Sequence, residues 1–153
     1  CINWNGLGVT KSGGAAQFVS APVRNCYLLP EHVDVENGGL IEPLSCAVRG
    51  FDVLPRIPGS HYLIYGSGTM GIMMMELARR SGAASVSIVD PNESRLETAR
   101  KLGLDTVATS ANQFTSEYGW DVVIDCTGVT AAIQDAIQRT SPGGTFIQFG
   151  VAN

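Results

Sequence analysis

Hydrophobic positions from residue 61 onward form short apolar runs that alternate with longer segments of helical pattern. Such runs are typical of buried parallel strands, and the longer segments predict helices that cover the sheet. This alternation predicts an α/β fold with a doubly wound parallel sheet. The predicted strands are residues 62–65, 85–89, 106–109, 121–125 and 145–149, the predicted helices are 71–82, 93–102 and 130–139, and a turn is predicted at 142–144. Sheets of this kind usually have a sixth strand, which we expect beyond the last residue.

The first 55 residues follow a less regular pattern, rich in glycine and short apolar runs. A double-glycine turn before residues 15–20 predicts one strand, and residues 25–30 predict another that ends at a proline. A helix over residues 44–53 is predicted to open directly after Pro43. The segment is therefore predicted to be β-rich and separate from the sheet that follows.

A glycine fingerprint stands between the first predicted strand and the first predicted helix. Its glycines have G-x-G-x-x-G spacing. The first glycine of such a loop makes a tight turn, the second lets a pyrophosphate approach the backbone, and the third lets the helix pack close to the sheet. The phosphates meet free N–H groups at the positive end of the helix dipole. We therefore predict a dinucleotide site whose binding residues here are Gly66, Ser67, Gly68, Thr69, Met70 and Gly71.

An acidic residue follows the second predicted strand. Asp90 lies 19 residues beyond Gly71, where a carboxylate can accept hydrogen bonds from both ribose hydroxyls. Such a carboxylate repels a 2′-phosphate, so we expect NAD rather than NADP. Arg95 could support the ribose or weaken that discrimination. A methyltransferase that binds S-adenosylmethionine is an alternative, because it also pairs a glycine loop with an acid here, although a third glycine inside the helix argues against it.

Two short segments follow the fourth and fifth predicted strands, Thr127-Gly128 and Gly150-Val151. Ligands of such sheets bind at the carboxyl ends of the strands, so we expect these four residues near the nicotinamide half of a cofactor. Their position alone leaves open that the two glycines serve only as turn residues.

Composition argues against several classes of partner. A net charge of −4 and a pI near 5.0 give no basic surface for nucleic acid. No run approaches the roughly 20 consecutive apolar residues of a membrane helix, and the first residues lack the pattern of a signal peptide. We therefore expect a cytoplasmic protein without a nucleic-acid or membrane partner. The four cysteines include no C-x-x-C pair, so neither a zinc knuckle nor a disulfide framework is predicted.

Two other groups of residues are interpreted as structural. The three consecutive methionines at residues 73–75 are expected to pack in the core, since methionine fills irregular gaps. His32 follows a proline in a polar turn and His61 precedes the first sheet strand, so both are expected at the surface and not in a proton relay.

Residues 13–19, 40–47, 65–71 and 125–128 form four segments with a more specific pattern. These segments resemble the zinc-dependent medium-chain alcohol dehydrogenases, in particular the sorbitol and threonine dehydrogenase branch. Residues 13–19 read GGAAQFV, similar to the family's GGFAEYV, and residues 40–47 read LIEPLSCA, similar to its LIEPLACA. The glycine loop at 65–71 and the DCTG at 125–128 complete the resemblance. The EPL block makes this more specific than a match to dinucleotide-binding proteins in general.

The resemblance implies a domain organisation and an activity. Residues 1–55 would be the end of a GroES-like catalytic domain with its connecting helix, and residues 56–153 an incomplete NAD-binding Rossmann domain. The implied activity is hydride transfer between a secondary alcohol or polyol and NAD, with zinc polarising the alcohol oxygen. A small-molecule alcohol substrate and a homo-oligomeric parent are implied as well.

The resemblance also bears on zinc. Glu42 of the EPL block would lie beside the catalytic zinc, as a ligand or bonded to its water, unless it only caps the helix start. Cys1 resembles the last of four cysteines that hold a structural zinc, but one thiolate cannot form that tetrahedral site. The family's other zinc ligands would precede residue 1, so we expect a fragment that binds NAD, retains no zinc and is inactive, with no catalytic residue assigned. A free-standing nucleotide-binding module without catalysis is the remaining alternative.

Overall fold

The computed structural model describes residues 5–55, 57–104 and 106–152. The chain divides into two units, Cys1–Gly39 and Leu40–Asn153. In the described part of the first unit, the regular structure consists of a 3-10 helix at Val23–Asn25, most of a second at Val35–Leu40, and an isolated bridge between Leu7 and Lys11. The last residue of the second helix, Leu40, is the first residue of the second unit.

The strands predicted over residues 15–20 and 25–30 are absent, which corrects the expectation of a β-rich first segment. A strand needs a partner strand for its backbone hydrogen bonds, and neither segment has one in the described part of this unit. Their apolar side chains pack on no sheet either, since Phe18 is 92% exposed and Leu28 is 98% exposed.

The second unit is built around a parallel sheet. Its helices and strands are α1 Ile41–Asp52, β1 His61–Tyr65, α2 Thr69–Arg80, β2 Ser85–Val89, α3 Glu93–Lys101, β3 Val107–Ala108, β4 Trp120–Asp125, α4 Thr130–Arg139 and β5 Thr140–Gln148, with a 3-10 turn at Ala111–Gln113. The described strands form one sheet in the order β3-β2-β1-β4-β5, and all neighbours are parallel. The predicted doubly wound α/β fold is confirmed.

Both faces of the sheet are covered, as a parallel sheet requires. Alternate residues of β1 enter two separate cores, because successive side chains of a strand point to opposite faces. Ile64 packs with Leu96 of α3, whereas Leu63 packs with Ala136 of α4, and all four side chains are fully buried. Residues 73–75 of α2 pack in or against the first core, which confirms the packing role predicted for the three methionines.

The start of α1 differs from the prediction. The helix begins at Ile41, so Pro43 is its third residue and not the residue before it. Proline is tolerated there because the N–H groups of the first helical turn have no acceptor within the helix. Glu42 consequently lies inside the first turn.

The start of β5 also differs, because the strand begins at Thr140 and takes in the segment predicted as a turn, residues 142–144. Trp120 of β4 pairs with Thr140, but the next pair joins Val122 to Thr145. The segment is therefore an excursion between two paired stretches of one strand. Its backbone still has the character of a turn, since Gly143 has a φ of +78°.

The strand order reverses between β1 and β4. The chain builds β1, β2 and β3 toward one edge and then returns to place β4 on the other side of β1. Loops that leave β1 and β4 at their carboxyl ends diverge and open a crevice between them, which is where open α/β sheets bind their ligands.

Candidate nucleotide-binding site

A groove of about 520 Å³ lies at the carboxyl ends of β1 to β4, beside the start of α4. Five of the residues predicted to bind a cofactor line it, namely Gly66, Gly68, Asp90, Arg95 and Thr127. The fold therefore brings together residues that are as far as 61 positions apart in the sequence. The other predicted residues lie in the loops and the helix turn around the groove without lining it.

The three glycines of the fingerprint differ in what a side chain would meet. Gly66 has a φ of +92°, a conformation that favours glycine. A Cβ on Gly71 would lie 1.8 Å from the carbonyl oxygen of Gly66, so the helix is packed against the loop that precedes it. A Cβ on Gly68 would meet nothing within 4 Å. The backbone at Gly68 is thus open on the side where a ligand would approach.

The amino terminus of α2 is open to an anion. Gly68 is the residue that precedes the helix, and no side chain caps its first turn. The first N–H groups of a helix have no partner inside it and sit at the positive end of its dipole. Thr69 and Met70 stand in this turn, so their contribution to anion binding would come from the backbone.

Asp90 holds the glycine loop as well as facing the groove. It is 3% exposed, and its Oδ2 accepts hydrogen bonds from the backbone N–H of Ser67 at 2.9 Å and from the Ser67 hydroxyl at 3.3 Å. Its Oδ1 accepts from the N–H of Asn92 at 2.9 Å. A carboxylate offers about four acceptor positions. One therefore remains for a ribose hydroxyl, fewer than the two hydrogen bonds expected from the sequence.

Arg95 stands next to this acid. Its guanidinium lies 3.7 Å from Asp90 Oδ2, and its side chain is 61% exposed. Because water screens an exposed cation, this ion pair is weak. Arg95 is free enough to turn toward a ligand that carries more negative charge than a ribose.

The four residues predicted near a nicotinamide ring do come together. A Cβ on Gly128 would lie 2.2 Å from the carbonyl oxygen of Val151, and a Cβ on Gly150 would lie 2.2 Å from the backbone nitrogen of Gly128. Both glycines are required by close backbone contact, so they are more than residues that permit a turn.

Sequence reasoning missed Asp125, the last residue of β4. This side chain is fully buried, and its carboxylate accepts hydrogen bonds from Thr127 and Gly128. An aspartate before a Thr-Gly pair is a known turn signal, because its side chain can bond the backbone two residues on. That signal was present in the sequence.

Sequence reasoning also missed a polar network on the α4 side of the groove. The hydroxyl of Tyr65 donates to Asp135 Oδ2 at 2.5 Å, and Arg139 Nε donates to the same oxygen at 2.9 Å. Burial and the hydrogen bond to Asp135 raise the pKa of Tyr65. Burial opposes ionisation of Asp135, but hydrogen bonds from Arg139 and Tyr65 outweigh it, so the pKa of Asp135 is lowered. Tyr65 and Asp135 are 70 residues apart, so no local sequence pattern predicts that they pair.

Cys126 also lines the groove. Burial, with a smaller contribution from the neighbouring Asp125, raises the pKa of this thiol to about 12. At neutral pH it is therefore a neutral, poorly nucleophilic group that contributes shape to the groove.

Glu42 does not complete a metal site. Its Oε1 accepts a hydrogen bond from the thiol of Cys46 at 3.5 Å, and its side chain is exposed on α1. Among the described residues, no group of three or more His, Cys, Asp or Glu side chains could hold a metal ion. Cys1 lies outside the described residues. His32 and His61 are both exposed, as expected.

Residues 69–153, more than half of the chain, match the family described as zinc-binding dehydrogenase. The chain belongs to this family. The L-threonine 3-dehydrogenase of Pseudoalteromonas atlantica is 32% identical over 99% of the chain and 46% of that enzyme. The sorbitol dehydrogenase of Gallus gallus is 33% identical over 91% of the chain and 42% of that enzyme. The predicted family and branch are confirmed, and the methyltransferase alternative is wrong.

Solved structures agree with this assignment. A Sinorhizobium meliloti protein described as a zinc-binding dehydrogenase and bound to NADP has a TM-score of 0.91 at 27% identity, over 99% of this chain and 47% of its own. The acetophenone reductase of Geotrichum candidum, in complex with NAD, has a TM-score of 0.76 at 26% identity, over 86% of this chain and 38% of its own. The chain thus spans less than half the length of these relatives.

None of the described helices is long and apolar enough to cross a membrane.

Proposed function

We propose that this chain is the cofactor-binding part of an NAD-dependent, zinc-containing dehydrogenase that acts on a secondary alcohol or polyol. The observation that carries the proposal is the uncapped start of α2, beside a Gly68 backbone where an added Cβ would have no atom within 4 Å. That opening would suit a pyrophosphate. The groove extends from it to Asp90 on one side and to Thr127 on the other, where the two halves of a dinucleotide would lie. The threonine and sorbitol dehydrogenase names of the relatives support a small alcohol as substrate.

The binding residues in this proposal take three roles. The first turn of α2 and the backbone of Gly68 would hold the pyrophosphate. Gly66 and Ser67, whose N–H groups are bonded to Val89 and Asp90, would shape the loop before the helix, and Met70 and Gly71 would shape its first turn. Asp90, supported by Arg95, would hold the adenosine ribose. The two loops formed by residues 127–128 and 150–151 would orient the nicotinamide ring. When bound, NAD accepts a hydride from the carbinol carbon, and the hydroxyl proton is released.

Zinc does not enter this part of the proposal. The family name implies a metal, but the described residues do not fit one, because Glu42 has only the Cys46 thiol beside it. A catalytic zinc keeps three protein ligands. We therefore assign no step to zinc in this chain, and place the zinc ligands of the proposed parent enzyme outside it.

The domain organisation of the chain is part of the same proposal. Residues 1–55 would be the end of the catalytic domain with its connecting helix, and residues 56–153 the nucleotide-binding domain. The compact unit that contains the sheet begins earlier, at Leu40, because α1 packs on α2. The connecting helix would then be docked on the nucleotide-binding domain.

Calorimetric titration of the chain with NADH and with NADPH tests the proposed cofactor. In the proposed complex the buried Asp90 would face the ribose, so a 2′-phosphate would bring two negative charges close together. We expect NADH to bind about tenfold more tightly than NADPH, a difference of about 1.4 kcal/mol. Tighter binding of NADPH would overturn the role of Asp90. Arg95→Ala is the informative companion variant, because it should lower the affinity for NADPH more than the affinity for NADH.

A further inference from the structure

Asp125 is bonded to both loops at the end of β4 and β5. Its Oδ1 accepts from the N–H of Thr127 at 3.0 Å and from its hydroxyl at 2.6 Å, and its Oδ2 accepts from the N–H of Gly128 at 3.1 Å. Its backbone carbonyl accepts from the N–H groups of Phe149 and Gly150, each at 2.8 Å. One residue therefore fixes the loop after β4 with its side chain and the loop after β5 with its main chain.

The two loops cannot move independently. A Cβ on Gly150 would lie 2.2 Å from the nitrogen of Gly128 and 2.8 Å from Asp125 Oδ2, which shows how closely the three residues are packed. Val151 is in the same close contact with Gly128. A shift of the first loop must therefore displace the second loop or open a gap between them.

The carboxylate of Asp125 depends on these donors. It is fully buried, and among the described residues no cation lies within ion-pair distance of it. A buried carboxylate without a counter-ion must be satisfied by hydrogen bonds. The side chain and the loop after β4 therefore hold each other in one geometry.

This loop is one wall of the groove, since Cys126, Thr127 and Val129 line it. The opposite part, around Gly68, is fixed by Asp90 through Ser67. Two buried acids thus support different parts of the groove. Asp90 lies behind the glycine loop, and Asp125 lies behind the loops at the ends of β4 and β5.

We propose that Asp125 is the positioning residue for the nicotinamide half of the dinucleotide. It does not touch the cofactor but sets the geometry of residues 127–128 and 150–151, which do. This inference rests on the proposed function, because it needs a dinucleotide in the groove. It predicts that Asp125 matters for a ligand that carries nicotinamide and not for one that lacks it.

The variant Asp125→Asn tests this prediction. Asparagine has the same shape and can still accept from Thr127, but its amide nitrogen faces the N–H of Gly128 and cannot accept from it. Calorimetry on the whole chain should show about a tenfold loss of affinity for NADH, the scale of one hydrogen bond to a charged group. Affinity for ADP-ribose, which lacks the nicotinamide ring, should stay within about twofold.

Asp121→Asn is the matched control. Asp121 lies on the same strand at its amino end, where its Oδ2 accepts from the N–H of His61 at 2.8 Å, away from the groove. This variant should leave both affinities unchanged. If Asp125→Asn does not fold, Thr127→Val takes its place. It keeps the acid but removes the 2.6 Å bond to Asp125, together with the 3.0 Å bond that the Thr127 hydroxyl accepts from the N–H of Val129. This variant should lower the affinity for NADH and leave the affinity for ADP-ribose unchanged.

The outcomes separate the two proposals. An equal loss of NADH and ADP-ribose affinity would mean a general structural role and would overturn the inference, as would no loss of either. Absence of binding of both ligands to the unaltered chain would instead contradict the proposed function.

Discussion

A single glycine, Gly71, joins the start of α2 to the end of β1. Its α-carbon faces the carbonyl of Gly66 so closely that a methyl group would lie 1.8 Å from that oxygen. Gly68, three positions earlier, has open space where a methyl group would stand, and its φ of −72° and ψ of −174° suit any residue. The two glycines of one motif therefore differ: Gly71 is required by packing, whereas Gly68 leaves open the space in which we propose that the ligand lies.

Alanine variants separate these purposes. Gly71→Ala should lower the free energy of unfolding by about 1–3 kcal/mol or more, because an overpacked contact with backbone cannot relax by rotating a side chain. Gly68→Ala should change it by less than about 0.5 kcal/mol. Urea unfolding followed by circular dichroism measures both, and similar stability of the two variants would contradict the assigned packing.

Asp90 and Asp135 differ in how far their roles could be predicted from the sequence. Asp90 was predicted because its distance from the glycine loop is characteristic. Its bond to Ser67 follows from the exact path of the loop, which spacing does not encode. The pairing of Tyr65 with Asp135 depends on how α4 crosses the sheet, so neither residue could be assigned from its neighbours in the sequence.

At the scale of elements, β1 and α4 are joined by polar contacts as well as by apolar packing. Tyr65 ends β1, and its hydroxyl bonds to Asp135, which Arg139 also holds. Arg139 in turn donates to Asn112 in the segment after β3 at 2.5 Å. The network thus connects three elements around one side of the groove.

Stability should therefore fall in alkaline solution. The pKa of Tyr65 is raised by burial first and then by Asp135, so the folded state keeps a proton that the unfolded state loses above about pH 10. The free energy of unfolding then declines as the pH rises above about 10 toward the higher pKa of Tyr65 in the folded state. Urea unfolding at pH 8 and pH 10.5 should show a smaller decline for Tyr65→Phe. Tyr27→Phe, at a side chain that is 87% exposed, is the control and should behave like the unaltered chain.

Strands of the sheet were easier to predict than the elements around them. Each buried parallel strand is a continuous apolar run, so β1 and β2 were located almost to the residue. The strands predicted within the first 39 residues were wrong. Apolar runs such as those that contain Phe18 and Leu28 become strands only beside a partner strand. The start of β5 was missed since its pairing with Trp120 skips the glycine-rich excursion.

At the scale of the whole molecule, the reversal of strand order sets the place of the groove. The parallel strands place the loops after β1, β2 and β4 at one end of the sheet, and the reversal opens a crevice there. The glycine loop, Asp90 and Thr127 line one cavity of about 520 Å³ at this end. The two buried acids, Asp90 and Asp125, support its two parts from behind. We therefore propose, as the central claim, that a dinucleotide lies in this groove with its pyrophosphate over Gly68.

Calorimetric titration of NADH into the unaltered chain and into Gly68→Ala tests this claim most directly. The added methyl group changes no internal contact but occupies the space that the pyrophosphate would need. We expect NADH to bind the unaltered chain and to bind the variant with at least about a tenfold loss of affinity, while the unfolding curves of the two proteins coincide. Equal affinity of the two proteins for NADH, or no binding by a folded unaltered chain, would contradict it.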